Sequence, residues 1–204
     1  MNRSALASLA ALLALASCSS SSTATAPAEL IPLFDQLAPE GAMELEFDRD
    51  GRFGDLEAEV SVESVPAIVR DAVAQAHPGV ELTGAEREVQ GGEWTWEVGF
   101  EEEGRGVQVV VSDDGDLLET ERELEASEAP AEVLRAAEGA VPSSTLASVD
   151  VVTSASGDEY HVKRERDGAR YKVVLTSTGE VLRIVREARA EIEIPVSTEI
   201  LRRP

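Results

Sequence analysis

The sequence predicts an α+β fold: two tandem repeats, each a helix followed by four antiparallel strands, preceded by a half-repeat β-hairpin. We expect the helices to lie on one face of a curved sheet. Three patterns support this prediction. Gly51, Gly115 and Gly179 recur at equal intervals along the chain. Apolar residues at helical spacing open each repeat, and segments that alternate between apolar and polar residues follow them.

An ungapped alignment at the same interval supports the repeat directly. Sliding residues 65–128 onto residues 129–192 leaves 17 identical positions, which include Pro66 on Pro130, Pro78 on Pro142 and Gly104 on Gly168. A bias toward Ala, Glu and Val cannot account for coinciding prolines and glycines. We therefore expect residues 65–128 and 129–196 to be two copies of one unit, followed by a tail over residues 197–204.

The amino end has the features of a secreted lipoprotein. Residues 1–17 combine a short basic start with an apolar run, which is typical of a signal peptide. Leu15-Ala16-Ser17-Cys18 resembles a lipobox, which implies lipidation of Cys18 and cleavage before it. An ordinary signal peptide with a chance cysteine is the alternative. The resemblance predicts a cell-envelope protein with a lipid anchor, at the outer membrane facing the periplasm if the cell has two membranes.

Residues 18–41 begin with Ser, Thr and Ala and are expected to form a tether between the lipid and the folded part. Residues 42–64 then alternate as two strands around Asp48-Arg49-Asp50-Gly51. The step from Gly51 to Pro66 equals the step from Gly115 to Pro130. The segment therefore corresponds to the last hairpin of a repeat, that is, to half a unit.

Each repeat should open with a helix that packs on the sheet. In the first copy the helix ends at His77-Pro78-Gly79, and in the second it runs from Ala129 to Pro142. The apolar stripe of the first helix comprises Val65, Ile68, Val69, Ala72, Val73 and Ala76. We expect this stripe to form the core against one face of the sheet.

Four strands should follow each helix. In the first copy they lie near residues 82–90, 94–101, 107–111 and 118–124, and in the second near 145–154, 158–166, 169–177 and 180–194. Trp94, Trp96, Val98 and Phe100 alternate with polar residues, as in a half-buried strand. The two tryptophans should belong to the core under the helix. Trp94 is the more probable exception, since its counterpart in the second copy is Asp158.

Composition excludes several functional classes. Lys and Arg total 18 against 40 Asp and Glu, a formal charge of −22, which argues against nucleic-acid binding. The single cysteine excludes a disulfide framework and a cysteine-based zinc site. His77 and His161 occupy non-equivalent positions in the two copies, so a paired histidine site is not expected. We predict no enzyme activity and no cofactor.

The order of these motifs resembles the PepSY-like, β-lactamase-inhibitor-like family of secreted bacterial domains. The segments that carry the resemblance are Val65-Pro66, His77-Pro78-Gly79, Trp96-Glu97-Val98, Gly104 and Asp114-Gly115, and in the second copy Ala129-Pro130, Val141-Pro142, Tyr160-His161-Val162, Gly168 and Gly179. The second copy departs from it at Ser143 and Thr178. The resemblance covers residues 42 to about 194. It implies helices on one face of a curved sheet, a second face available to partners, and no enzyme activity.

The polar sheet face is therefore the candidate binding surface for a protein or peptide with a basic surface, whose activity it could inhibit. Its candidate contacts are Glu93, Thr95, Glu97, Glu101, Gln108, Glu119, Glu121, His161 and Lys163. Glu97 and Glu121 lie mid-strand and are the preferred contacts. The second copy also presents basic residues, including Lys172 and Arg183, on this face. A solvated face that only maintains solubility is the structural alternative.

A cation site is the functional alternative. Residues 46–57 imitate a calcium-binding loop, in which Asp48, Asp50, Asp55 and Glu57 would be candidate ligands. The flanking residues alternate as strands and favour a hairpin instead. A structural envelope component without a dedicated ligand is the third possibility.

Overall fold

A computed structural model describes residues 41–188, which form one antiparallel sheet of ten strands and two helices. The strands are hydrogen-bonded in chain order from first to last. The predicted signal peptide, Cys18 and residues 197–204 lie outside the described residues. The elements are β1 (Met43–Phe47), β2 (Phe53–Glu59), α1 (Ala67–Ala76), β3 (Leu82–Gln90), β4 (Glu93–Glu102), β5 (Arg105–Ser112), β6 (Leu117–Glu123), α2 (Ala131–Ala140), β7 (Thr145–Ser154), β8 (Gly157–Arg166), β9 (Ala169–Thr176) and β10 (Val181–Glu187).

Corresponding elements begin and end at one constant offset, which is the interval between the repeated glycines. This offset relates α1 to α2, β4 to β8, β5 to β9 and β6 to β10. It also relates the second strand of the N-terminal hairpin, β2, to β6. Gly51, Gly115 and Gly179 all have positive φ in the turns between the paired strands. Each turn thus uses the backbone freedom of glycine at the same place.

Both helices lie on the same face of the sheet and cover its valine-rich side. Val69 and Val73 of α1 are buried in a cluster with Val98, Phe100 and Val109. The second cluster contains Val133 and Ala137 of α2 together with Val149, Val162, Val173 and Leu175. Burying these side chains stabilises the fold by about 1.5–3 kcal/mol for each Val, Leu or Phe.

The structure corrects the predicted core stripe of α1. Val65, Val69 and Val73 are buried, but Ile68 remains 48% exposed and Ala76 at the end of the helix is exposed as well. The line of buried valines points straight at the sheet, which places Ile68 on the flank of the helix. There it lies against the β5–β6 turn, where a Cβ added at Gly115 would come within 2.8 Å of Ile68 Cγ1. Within residues 41–188 no helix is long and apolar enough to cross a membrane.

The prediction that both tryptophans lie in the core under the helix is confirmed for Trp96 and wrong for Trp94. Trp96 is buried in the cluster under α1, which confirms its predicted place in the core. Trp94 instead packs against a smaller cluster of Leu56, Ala58 and Val89 from the N-terminal strands. The Arg87 guanidinium lies over both rings, 5.0 Å from the Trp94 centroid and 4.7 Å from the Trp96 centroid.

The sheet is strongly curled. Irregularities in strand register, such as those between Val110 and Val111 and between Val181 and Arg183, recur in five of the nine strand pairs. Bulges of this kind increase twist and bend the strand that carries them. As a result Arg183 on β10 reaches Glu46 on β1, at 2.6 Å between Nη1 and Oε1. The helices lie outside the curl, and the polar face lies inside it.

Candidate functional site

The polar face encloses an open depression of about 610 Å³, which we call the acidic trough. It arises because side chains alternate along each strand, so the residues opposite the valine core project into the curl. Its charged lining comprises twelve carboxylates, from Glu44, Glu46, Asp55, Glu57, Glu86, Glu88, Glu93, Glu97, Glu119, Glu121, Glu159 and Glu187, with Lys163, Arg170, Lys172, Arg183 and His161. Acidic groups therefore outnumber Lys and Arg by twelve to four.

Most of the predicted contact residues line this one surface. Eight of the nine line the acidic trough: Glu93, Thr95, Glu97, Gln108, Glu119, Glu121, His161 and Lys163. Glu101 lines a neighbouring depression of about 400 Å³, which shares Gln108 and Glu121 with the trough. The surface is concave, whereas the sequence suggested an open sheet face. It therefore suits a segment that enters the curl better than it suits a flat partner.

Sequence reasoning missed the acids that β1 and β3 contribute to the acidic trough. Glu44 and Glu46 of β1 and Glu86 and Glu88 of β3 also line the acidic trough. The signal was present in β3, where Glu86 and Glu88 alternate with Ala85, Arg87 and Val89. Arg87 made this alternation hard to recognise, because it places a charged residue on the face that otherwise carries apolar side chains. Its stacking on two tryptophans explains why it is tolerated there.

The Lys and Arg side chains that line the acidic trough all come from the last three strands. Lys163 lies on β8, Arg170 and Lys172 on β9, and Arg183 on β10. Arg183 pairs with Glu46, and Arg170 approaches Glu187 at 3.7 Å. The carboxylates in the middle of the acidic part, which include Glu57 and Glu97, have no ion-pair partner among residues 41–188.

This arrangement raises the pKa values of several carboxyl groups. Burial, followed by repulsion from Glu86 and Glu121, raises the pKa of Glu97 to about 8. Burial, followed by repulsion from Glu97, raises the pKa of Glu57 to about 8 as well. Both side chains are thus only partly ionised near neutral pH, because each charge lacks solvent and faces other negative charges.

Near β8, β9 and β10, neighbouring basic side chains act against the effect of burial on the carboxyl pKa values. Burial acts to raise the pKa of Glu121, but the neighbouring His161, Lys163 and Lys172 together outweigh burial and lower that pKa. Asp150 lies 3.8 Å from the Lys163 ammonium, yet burial and then repulsion from Glu121 raise its pKa to about 6. The trough therefore has an acidic end and a mixed-charge end. At the acidic end, formed by the N-terminal strands, Glu46 pairs with Arg183, but the central carboxylates have no ion-pair partner among residues 41–188.

The four candidate ligands of the calcium-like loop do not come together. Asp48 lies in the β1–β2 turn, where its Oδ1 accepts hydrogen bonds from the backbone N–H groups of Asp50 and Arg52 at 2.8 and 2.9 Å. The Asp50 carboxylate lies 3.1 Å from the Arg52 guanidinium. Asp55 and Glu57 lie further along β2 and face the acidic trough. The segment is a hairpin. Asp48 stabilises its turn through these hydrogen bonds, and Asp50 pairs with Arg52.

The two histidines occupy different faces of the sheet. His77 follows the last residue of α1, stacks beside Phe100 and lies 3.1 Å from Glu102. His161 lies in the acidic trough, with Nδ1 3.6 Å from Glu121 Oε2. They therefore do not contribute to a common site.

No family model and no curated protein matches the chain. Solved structures share its fold. A putative periplasmic protein of Bacteroides eggerthii is 19% identical over 60% of this chain and 88% of its own, with a TM-score of 0.51. A DUF2874 family protein of Bacteroides uniformis is 18% identical over 60% and 89%, with a TM-score of 0.50. A BLIP-like protein of Bacteroides fragilis is 19% identical over 63% and 91%, with a TM-score of 0.47. The first two similarities establish the antiparallel curled-sheet fold.

Proposed function

We propose that this chain is a non-enzymatic, lipid-anchored cell-envelope protein that holds a positively charged segment of a protein or peptide in the acidic trough. The observation that carries the proposal is the accumulation of twelve carboxylates against four Lys and Arg side chains around one depression. Inhibition of the partner is one consequence that such binding could have.

The raised pKa values support a cationic ligand. Glu57 and Glu97 retain protons near neutral pH because burial and mutual repulsion disfavour their charged forms. A lysine or arginine side chain placed among them would stabilise those charged forms instead. Binding would then release protons, and it would weaken as salt screens the attraction over about 8 Å at physiological ionic strength.

The shape of the acidic trough supports an inserted segment. A concave surface of about 610 Å³ can surround a loop or a chain terminus of the partner on several sides. Such enclosure removes solvent from the ion pairs, which makes each pair more selective than an exposed one. Thr95 and Gln108, which line the same surface, supply neutral hydrogen-bonding groups for the backbone of such a segment.

The lipobox-like sequence and the fold support an envelope location. Cys18 is the only cysteine and lies where lipidation requires it. The similar structure from Bacteroides eggerthii is named a putative periplasmic protein. A Cys18→Ala variant should move from the membrane fraction to the soluble fraction. If it stays with membranes after a salt wash, another element anchors the protein.

We also propose that residues 65–128 and 129–196 are duplicated PepSY-like units and that residues 42–64 are half of a third. The 17 identities in the ungapped alignment and the constant offset between elements support this proposal. Duplication would explain why the two halves of the trough share a backbone and differ in charge.

Photo-crosslinking in the native envelope tests the binding proposal. A crosslinking amino acid at Gln108 reports on contacts inside the acidic trough. The same group at Gln75, exposed on the outer helix α1, is the matched control. We expect a partner that is captured from Gln108 and absent from Gln75. Capture from Gln75 alone would place the binding surface on the helices and overturn the proposal.

A charge-removal variant tests the chemistry. Glu97→Gln combined with Glu121→Gln removes the two preferred contacts without changing their size. We expect it to reduce capture of the crosslinked partner at least tenfold. Asp71→Asn combined with Glu138→Gln removes two exposed carboxylates from the outer helices and should leave capture unchanged. Equal losses in both double variants would mean that net charge alone, and no site in the trough, attracts the partner.

A further inference from the structure

Three carboxylates at the acidic end of the trough form a compact cluster. Oxygens of Asp55, Glu57 and Glu88 all lie within 4.8 Å of one another. The strand geometry accounts for this closeness. Asp55 and Glu57 are two residues apart on β2 and project to the same side, and Glu88 is the cross-strand partner of Glu57 on β3. We call these three residues the carboxylate triad.

Asp55 is the distinctive member of the carboxylate triad. Its residue is only 8% exposed, and its Oδ1 has no hydrogen-bond partner within the described part of the chain. An unpaired buried carboxylate oxygen is costly, since it has lost water without gaining a donor. Glu88 differs, because its Oε2 accepts a hydrogen bond from Thr95 Oγ1 at 3.0 Å. The unpaired oxygen belongs to a residue that lines the trough together with the other two carboxylates.

No positive side chain compensates the carboxylate triad. Among residues 41–188, none of its members belongs to an ion pair. The groups opposite Asp55 on the neighbouring strands are Glu46 on β1 and Gln90 on β3. Both line the trough and offer further oxygen atoms. The site thus combines a buried carboxylate oxygen that lacks a hydrogen-bond partner among the described residues with neighbouring side chains that can each offer an oxygen atom to a cation.

We propose that the carboxylate triad binds a calcium ion. This inference goes beyond the binding of a basic partner, because it assigns an inorganic ligand to one end of the trough. Oxygen-only donors favour hard cations over zinc or copper. The mixed set of side chains then favours calcium, because Ca²⁺ accepts irregular sets of carboxylate and amide oxygens, whereas Mg²⁺ demands near-ideal octahedral geometry and retains several waters. Carboxylate oxygens that all lie within 4.8 Å of one another can contact one such ion together.

Electrostatics around the triad agree with this assignment. Burial, and next repulsion from Glu88, raises the pKa of Asp55 to about 7. A bound Ca²⁺ would stabilise the ionised carboxylates, so its affinity should increase as pH rises through this range. The charged groups that face the triad are Glu44 and Glu46 from β1, with Arg183 beside Glu46, Glu86 from β3, Glu97 from β4 and Glu119 from β6.

Calorimetric and thermal titrations of the full-length protein with CaCl₂ test the proposal. The parent should bind Ca²⁺ with a Kd on the order of 10⁻⁴ to 10⁻³ M and show a Tm that rises with Ca²⁺ concentration. Asp55→Asn and Glu88→Gln each remove one charge and keep the side-chain volume. Both should fold and bind Ca²⁺ at least tenfold more weakly. MgCl₂ at equal concentration should bind more weakly to the parent than CaCl₂ does.

Asp50→Asn is the matched control, because Asp50 belongs to the calcium-like loop and not to the triad. It should bind Ca²⁺ as the parent does. Absence of binding at millimolar Ca²⁺, parental affinity in Asp55→Asn, loss of affinity in Asp50→Asn, or equal affinity for Mg²⁺ would each overturn the proposal. Partner capture through Gln108 is a separate readout, so failure of the calcium site and failure of partner binding are distinguishable.

Discussion

Arg183 and Glu46 lie on the last and the first strand of the sheet, and their side chains meet at 2.6 Å across 137 residues of sequence. The two strands are not hydrogen-bonded to each other through their backbones. The ion pair therefore shows that the sheet curls far enough to bring side chains of β1 and β10 into contact. Without that curl the two outer strands of a ten-stranded sheet would lie far apart, at about 4.8 Å per strand.

The first prediction concerns the energy of this ion pair. Its side chains are 49% and 29% exposed, so solvent screens the attraction. A double-mutant cycle with Glu46→Gln and Arg183→Gln should give a coupling of about 1 kcal/mol or less in urea unfolding. The Arg105–Glu128 pair, also at 2.6 Å and partly exposed, is the control cycle. A coupling above about 2 kcal/mol for Glu46–Arg183 alone would exceed the range of exposed pairs and show that the pair itself holds the curl.

The second prediction concerns pH. The folded state raises the pKa of Glu57 and Glu97 to about 8 and that of Asp55 to about 7, above their values in an unfolded chain. The folded protein therefore binds protons more tightly than the unfolded protein does. The contribution of these three groups to the free energy of unfolding is fully present below about pH 4.5. This contribution is lost as pH rises through 7 to 8. We expect Tm to be about 5 °C higher at pH 5.5 than at pH 8.5.

Glu97→Gln tests the cause of this pH dependence. The groups that face Glu97 are Glu57 on β2, Glu86 and Glu88 on β3, Glu121 on β6 and Lys163 on β8. The variant should be more stable than the parent at pH 8.5 and should show a smaller change of Tm with pH. Glu138→Gln on α2 should behave like the parent at both pH values. A parent whose Tm rises between pH 5.5 and 8.5 would contradict the buried-acid explanation.

The third prediction concerns the core under α1. Val69 is fully buried, whereas Ile68 is 48% exposed one position earlier. Val69→Asp should lower the free energy of unfolding by about 4 kcal/mol or more, because it buries an unpaired charge. Ile68→Asp should cost about 1 kcal/mol or less, because its side chain stays partly in solvent. Chemical denaturation of the two variants gives the comparison, and similar losses in both would place Ile68 in the core after all.

The fourth prediction concerns the close contact between α2 and the β9–β10 turn. Gly179 has a φ of +83°, and an added Cβ would lie 2.8 Å from the carbonyl oxygen of Glu132. Gly51 has a similar φ of +76°, with nothing within 4 Å of an added Cβ. Gly51→Ala should therefore cost about 1 kcal/mol from backbone strain alone. Gly179→Ala should cost at least about 2 kcal/mol, since steric overlap adds to that strain. Equal decreases in Tm for the two variants would show that α2 moves away from the added methyl group at little cost and would contradict the prediction.

Periodicity along the chain determined much of the fold. The period-two pattern of Trp96, Val98 and Phe100 placed β4 and assigned its faces, because side chains of a strand alternate regardless of their distant neighbours. The spacing of the repeated glycines located the turns. The same reasoning placed Glu97 and Glu121 on the face opposite the core, where both line the acidic trough. These features depend on contacts that are local in sequence or repeated along it.

Burial could not be predicted in this way. The helical spacing of apolar residues predicted that Ile68 belongs to the core. The direction in which α1 packs on the sheet leaves Ile68 on the flank of the helix instead. Position 164 aligns with Phe100 in the ungapped alignment, yet it holds Arg164, which is 6% exposed. Its guanidinium donates hydrogen bonds to the side chain and the backbone carbonyl of Ser144 at 2.6 and 3.0 Å. A buried arginine of this kind depends on a partner that is distant along the chain.

Residue order along the chain is enough to assign residues to the two faces, to locate the turns and to show that the polar surface is acidic. The folded structure was needed to show that this surface is concave, that Glu46 meets Arg183, and that Asp55 is buried without a partner for Oδ1 among the described residues. The physical reason is that alternation is a property of each strand alone. Curvature accumulates over ten twisted strands and their bulges, and it is curvature that brings distant carboxylates close enough to change their pKa values.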